Sequence, residues 1–293
     1  MRAKIDTIQI ETLRSNIKDF EELSDKPFLK EGCTTIRINN KTEHVSAVLH
    51  PSRDEGRYNS YPETYTYSYY KTKKQKMLND LTVKVIDDVK VKRIDVCFDL
   101  KENFKDLYPM LELIAFCYCL EYKTRNVWEN KNLFDHEVKA IMNKARHNDL
   151  CIYNKQDESK GLHPYNTRLE FRTKDIAAIE DKKIKDLSNL LNRLYGNLKA
   201  VECVKIDTLY KKYSNELANG TIKDFTEFVR HNSEHFGTRN VLEQVYKKAG
   251  MQGDFTNWLR YYKKNNKITL YSNTQVKAFI DQMKRSLKAY KNN

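Results

Sequence analysis

Arg93-Ile94-Asp95-Val96-Cys97-Phe98-Asp99 alternates apolar and polar residues with period two, and two later stretches repeat the pattern: Cys151-Ile152-Tyr153-Asn154-Lys155 and Arg168-Leu169-Glu170-Phe171-Arg172. Successive side chains of a strand point to opposite faces. Ile94, Val96, Phe98, Ile152, Leu169 and Phe171 therefore face a core, and Asp95, Asp99, Tyr153, Lys155, Arg168, Glu170 and Arg172 share the other side. The second and third stretches are joined by Glu158 to Asn166, whose Ser159, Gly161 and Pro164 read as a loop between antiparallel strands. A turn centred near Gly161-Leu162 sets Tyr153 opposite Glu170, Lys155 opposite Arg168 and Cys151 opposite Arg172.

Upstream, strands are expected over Lys4 to Ile10, Thr34 to Ile38, His44 to Leu49 and Tyr65 to Tyr69, the last from its tyrosine and threonine alternation. Met77, Leu78, Leu81 and Val85 make one apolar stripe and predict a basic helix over Lys73 to Ile86. Leu107 to Tyr122 reads as helix or buried strand, with its length favouring helix, and Phe134 to Lys144 as a short helix. Beyond Thr173 the strand signal fades. Helical spacing predicts Ile179 to Leu198, Val204 to Leu217, Lys223 to His231, Val241 to Ala249, Phe255 to Lys263 and Asn273 to Ala289, the last capped by Ser272 or Asn273. Trp258, Tyr261 and Tyr262 are expected as the core of their helix. Lys267 to Tyr271 suits a small wing beside a helix-turn-helix-like pair. The expected fold is α+β: an antiparallel central sheet of five or more strands with helices on one face and an open polar face, then a helical C-terminal region. The division is 1–175 and 176–293.

The chain's 293 residues, 40% of them hydrophobic, are enough for a sizeable core. The net charge of +13 suits a polyanionic partner such as nucleic acid. From Met251 onward, nine lysines and arginines face only Asp254 and Asp281, so this tail carries more than half of that excess. The six cysteines form no C-x-x-C pair and no secretory leader is evident, which points to reduced thiols in cytoplasm. The most apolar run, Leu111 to Leu120, is about half a bilayer span. No His-hydrophobic-His pair occurs among the seven histidines, which argues against a two-histidine metal site. His147 reads as an exposed histidine in a polar connector.

A tyrosine is a weak nucleophile at neutral pH because its ordinary pKa is about 10. On the polar face it lies among groups suited to helping it: carboxylates that are hard ligands for Mg²⁺ or Mn²⁺, and lysine and arginines that offset charge on a phosphodiester. The bland alternative is a set of surface ion pairs, Asp95 with Arg93 and Glu170 with Arg168 or Arg172, each worth less than about 1 kcal/mol.

The order and spacing of Arg93-Ile94-Asp95-Val96-Cys97-Phe98-Asp99, Ile152-Tyr153-Asn154-Lys155-Gln156-Asp157-Glu158 and Arg168-Leu169-Glu170-Phe171 resemble the rolling-circle replication initiators of staphylococcal-type small plasmids. Relaxases of integrative elements and filamentous-phage replication proteins share similar tyrosine and acidic strands. The resemblance covers about Lys92 to Thr173, and Ile-Tyr-Asn-Lys is its most specific part. Two departures stand out: Ala145-Arg146-His147-Asn148-Asp149 replaces the family's aromatic-Gly-x-Arg-x-Ser run, and Arg172 replaces a second acid.

The resemblance implies metal-dependent nicking and joining of origin DNA. Tyr153 would be the nucleophile aided by Lys155, with Asp95, Asp99 and Glu170 as ligands of Mg²⁺ or Mn²⁺. Tyr153 would then carry a 5′ phosphate and release a 3′ hydroxyl primer. Arg93, Arg168, Arg172, Lys263, Lys264, Lys284 and Arg285 are the expected DNA contacts, to a single-stranded or extruded hairpin site and flanking duplex. A host helicase and polymerase and a homodimeric partner are implied by the family, and no membrane. The alternatives are a conjugative or integrative-element relaxase and a non-catalytic DNA-binding regulator.

Overall fold

The computed structural model describes residues 1–18, 33–39, 41–51, 66–121, 128–130, 140–144, 148–161, 163–174 and 180–292. The strands are β1 (Arg2–Leu13), β2 (Cys33–Asn39), β3 (His44–Leu49), β4 (Lys90–Leu100), β5 (Trp128–Asn130), β6 (Ala140–Lys144), β7 (Asn148–Asn154) and β8 (Thr167–Lys174). The helices are α1 (Tyr67–Asp80), α2 (Phe104–Glu121), the single turn α3 (Lys155–Glu158), α4 (Glu180–Gly196), α5 (Leu198–Ala218), α6 (Phe225–His231), α7 (Arg239–Lys248), α8 (Phe255–Asn265) and α9 (Asn273–Asn292). The fold is α+β, an antiparallel sheet with helices and a helical C-terminal region. The chain divides into two compact units, one of Met1–Glu102, Trp128–Leu190 and Gln282–Asn293, the other of Asn103–Val127 and Leu191–Asp281.

In the first unit the described strands form one sheet in the order β2-β3-β1-β4-β8-β7-β6-β5, every neighbouring pair antiparallel. Ile5 pairs with Val96, Val96 with Phe171 and Phe171 with Leu150, so one apolar face runs across four strands. Those four side chains, with Phe98, Leu169 and Ile152, are buried, and Phe98 meets Phe171 edge to face at 5.9 Å. Burying each such side chain contributes about 1.5–3 kcal/mol. In β1 the partner of Ile5 is followed directly by the partner of Thr7, leaving Asp6 as the extra residue of a bulge.

Three strand and helix expectations are corrected. Tyr67 to Tyr69 opens α1 and is not a strand, because Thr66 Oγ1 accepts the Tyr69 N–H at 3.1 Å and starts the helix six residues before Lys73. Tyr67 and Tyr70, one turn apart, both go into the core. Thr82, at φ 52°, follows the helix end, so the helix does not run on to Ile86. Residues 140–144 of the expected helix over Phe134 to Lys144 are strand β6, paired with β7, and residues 134–139 lie outside the described residues, as does Tyr65.

Residues 107–121 of the run Leu107 to Tyr122 are helix, part of α2, which belongs to the second unit; Tyr122 lies outside the described residues. That unit's core gathers Leu209 and Tyr213 of α5, Phe225 and Phe228 of α6, Val241, Leu242 and Val245 of α7, and Phe255, Leu259 and Tyr262 of α8. The expected wing at Lys267 to Tyr271 makes no ladder; Tyr271 forms a lone parallel bridge with Thr238, and Ile268 and Leu270 pack on the core instead. Ser272 caps α9 by accepting the Gln275 N–H at 3.2 Å. Among the described residues no helix is long and apolar enough to cross a membrane.

Gly237 precedes the α7 cap at φ +70°, and a Cβ there would lie 2.8 Å from Leu113 Cγ and Cδ1. Gly237→Ala combines left-handed strain with a clash inside the core. It is expected to destabilise the protein by about 2–4 kcal/mol, read as a lowered urea midpoint.

Candidate active site

The β7–β8 hairpin brings the tyrosine and its acid together, in a register two residues from the expected one. Tyr153 pairs with Arg168, Cys151 with Glu170 and Asp149 with Arg172. A slip of two keeps every side chain on its face. Tyr153 and Glu170 are thus diagonal neighbours, within reach of an aromatic side chain, and the Tyr153 hydroxyl donates to Glu170 Oε2 at 3.1 Å. The slip arises because the chain after Tyr153 coils into α3. Asn154 caps that turn, its Oδ1 accepting the N–H groups of Gln156 at 3.0 Å and Asp157 at 3.2 Å. The turn folds Lys155 back into an ion pair with Glu158, with Nζ 5.8 Å from the centre of the Tyr153 ring.

Across β4 and β1 the same face collects two charge clusters. In the first, Arg168 donates from Nε to Asp99 Oδ1 at 2.6 Å and from Nη2 to Oδ2 at 3.0 Å, while its Nη1 lies 3.1 Å from Asp6 Oδ2. Lys4 Nζ completes it, 2.8 Å from Asp99 Oδ2. In the second, Arg93 holds Asp95 through two nitrogens, one at 2.7 Å, and Arg172 Nε donates to Glu170 Oε1 at 2.6 Å. Arg93 Nη2 also lies 3.9 Å from Glu170 Oε1.

Burial alone would raise the Asp99 and Asp6 carboxyls. The cations beside them, Arg168 and Lys4, more than reverse this and hold both well below the usual carboxylate range. Burial brings Lys4 down to about 8. Glu170 is pulled to about 2, Arg172 and the other cations outweighing burial. Asp95 goes the other way, pushed up to about 7 by burial and then by the charge of Glu170. Burial first, and Glu170 second, lift the Tyr153 phenol far above its ordinary value.

The polar face is not open. Asp95, Asp99, Glu170, Arg168, Lys155 and Tyr153 are all buried, Tyr153 being 3% exposed. Complementary charges on adjacent strands close on one another and leave little surface to water. Arg168, expected on DNA, is enclosed by Asp99 and Asp6, whereas Arg93 and Arg172 keep about a quarter and a fifth of their side chains exposed. Lys263, Lys264 and Arg285 are exposed on α8 and α9, and Lys284 is half-buried. Tyr262 is core and Trp258 packs partly against it, but Tyr261 is exposed, which corrects its expected place in the core. His147 lies outside the described residues.

Among the described residues no three His, Cys, Asp or Glu side chains are grouped to hold a metal ion. Asp95, Asp99 and Glu170 do not fit as a shared ligand set, since Asp95 and Asp99 direct their oxygens at arginine or lysine and Glu170 divides its own between Arg172 and the Tyr153 hydroxyl. Lys4 and Asp6 are site residues that the three-stretch pattern missed. Their signal was the Asp6-Thr7 doublet, which breaks the alternation of β1 and marks the bulge.

No family model matches the chain, and no curated protein matches it. Among solved structures the chain is similar to a rolling circle replication initiator protein from Geobacillus stearothermophilus, with 11% identity and a TM-score of 0.32 over 59% of this chain and 74% of that one.

Proposed function

We propose that this chain nicks and rejoins DNA at a specific site, as a rolling-circle replication initiator does, with Tyr153 as nucleophile. The observation that carries the reading is the hydrogen bond from the phenol to Glu170, inside a face that also presents Lys155, Arg93 and Arg172. A phenol held far above pH 7 is not a resting phenolate, so attack requires the proton to leave as the bond to phosphorus forms. Glu170 is ionised and in contact, and takes that proton. The phosphorus–3′ oxygen bond breaks, Tyr153 keeps the 5′ phosphate, and the departing 3′ oxygen takes a proton from water to become the hydroxyl while Glu170 returns the phenol's proton to solvent. Lys155 and the two arginines offset charge on phosphorus. No step is routed through a divalent ion, because the carboxylates as placed do not converge on one.

Burial of Tyr153 favours a second reading, a DNA-binding regulator with no covalent step. It also requires that any reactive complex differ from this conformation at the phenol. Labelled supercoiled and hairpin DNA, incubated with the full chain in Mg²⁺, Mn²⁺ or EDTA, separates the two. A protease-sensitive DNA adduct that maps to Tyr153 supports nicking; binding without adduct in every buffer supports the regulator. The EDTA arm reads metal dependence directly.

The acid pair sets a pH dependence. Below about 7 the Asp95–Glu170 pair holds an extra proton and is a poorer base. Single-turnover adduct formation is expected to climb as pH rises through about 7, and this limb should vanish in Glu170→Gln. A flat wild-type profile from acid to neutral pH would show that the proton on Asp95 does not govern the reaction, Glu170 itself being ionised across that range.

A further inference from the structure

We infer that the outward face of α8 is a sequence-reading surface for duplex DNA, seating Asn257, Arg260, Tyr261 and Lys264 in a major groove. The inference rests on the DNA-directed reading above but uses no residue around Tyr153. Phe255, Leu259 and Tyr262 are buried, and Trp258 stacks on Tyr262 at 5.3 Å, so one side of α8 is fixed in the core. Asn257, Arg260, Tyr261 and Lys264 follow at i, i+3, i+4 and i+7 on the opposite side. All four are exposed, Tyr261 at 69%.

Charge identifies the occupant. Within α8, Arg260, Lys263 and Lys264 are accompanied by no acid, and among the described residues none of the three makes an ion pair. Three lysines on neighbouring helices are each matched: Lys212 with Glu216 at 3.7 Å, Lys247 with Glu243 at 2.7 Å and Lys248 with Asp207 at 2.5 Å. α8 therefore presents three cations with no acid of its own to offset them. A bilayer surface would want a broad apolar face beside the cations, and only Tyr261 is available.

The helix is presented rigidly. Arg239 at the start of α7 donates to Thr256 Oγ1 at 2.9 Å and lies over the Phe255 ring, fastening the two helices at one end. They are joined by residues 249–254, a short connection turned by Gly250 at φ +69° and Gly253 at φ +97°. Asp254 caps α8 by accepting the Asn257 N–H at 2.7 Å, so the side-chain stripe, not the helix terminus, meets the ligand. Eleven residues span about 16 Å, which covers four or five base pairs at roughly 3.4 Å each. Arg260 and Asn257 are the residue types that read guanine and adenine edges, Tyr261 can pack on a thymine methyl, and Lys264 can meet guanine or phosphate.

The test is selection of the full chain on duplexes with a randomised core of about 12 base pairs, at about 150 mM salt, followed by anisotropy titrations. The expected result is a motif of four or five base pairs. Arg260→Ala and Asn257→Ala should each lose preference at one position and weaken the selected duplex by about tenfold, with unchanged circular dichroism. Lys263→Ala should weaken selected and random duplex equally. No motif, or a motif and affinity that survive both alanine variants, overturns the inference, as does tighter retention on phosphatidylserine vesicles than on DNA. Repeating the selection with Tyr153→Phe keeps the two readings apart. A motif read through α8 without any wild-type adduct sinks the nicking proposal alone, and an adduct without such a motif sinks this one alone.

Discussion

Tyr153→Phe is expected to lower covalent DNA attachment by more than about 10³-fold while duplex binding stays within about twofold of wild type. The substitution removes one oxygen from a buried ring and leaves the β7–β8 register untouched. Glu170 keeps its 2.6 Å bond from Arg172, so the lost hydrogen bond should cost stability only about 0.5–1.5 kcal/mol. Denaturing gels of protein incubated with end-labelled hairpin DNA give the rate, and urea melts give the stability. Glu170→Gln is the informative companion: it keeps a hydrogen-bond acceptor for the phenol but loses the base, and should slow attachment by about 10²–10⁴-fold. An adduct of normal yield in the phenylalanine variant would mean that another group attacks DNA.

Arg168→Ala is expected to cost about 3–5 kcal/mol, the usual effect of breaking a buried ion pair from one side. It strips Asp99 of two hydrogen bonds and Asp6 of its closest cation, leaving both buried acids to Lys4. Arg168→Lys should recover only part, because an ammonium cannot serve both Asp99 oxygens and Asp6 through a planar fork. The pH dependence separates this from simple loss of packing. Asp99 and Asp6 are depressed in the folded protein, so their stabilisation is present above the ordinary carboxylate range and is lost as pH falls through their folded values. Asp95, raised to about 7, acts oppositely: its contribution is complete below the ordinary range and is lost as pH rises through about 7. Unfolding free energies from pH 3 to pH 8 should therefore show a shallower acid slope in Arg168→Ala than in wild type. Equal slopes would show that the ion pairs do not govern acid stability.

Much of this architecture was legible because period-two alternation is a local signal. β4, β7 and β8 announce themselves in five to seven residues each, and the 3.6-residue spacing beyond Thr173 marks the helices. The faces of β7 and β8 were read correctly although their register was not, since a shift of two leaves alternation unchanged and the coil of α3 has no mark in the apolar pattern. Tyr65 to Tyr69 misled because tyrosine and threonine suit a strand, whereas a hydroxyl at Thr66 also caps a helix. The partnership of Lys4 with Asp99 spans most of the sheet-forming sequence, and no local pattern reports it. Closure of the polar face was invisible for the same reason: a run of charged residues looks solvated until its partners from other strands are known.

The bulge in β1 makes Asp6 an insertion in the literal sense. On either side of it, Ile5 and Thr7 meet consecutive partners, Val96 and Asp95, so excising this one residue would leave a strand of unbroken alternation and unchanged neighbours. The carboxylate that shares Arg168 with Asp99 is thus modular: a lineage could gain or discard it by a single codon without rephasing the sheet.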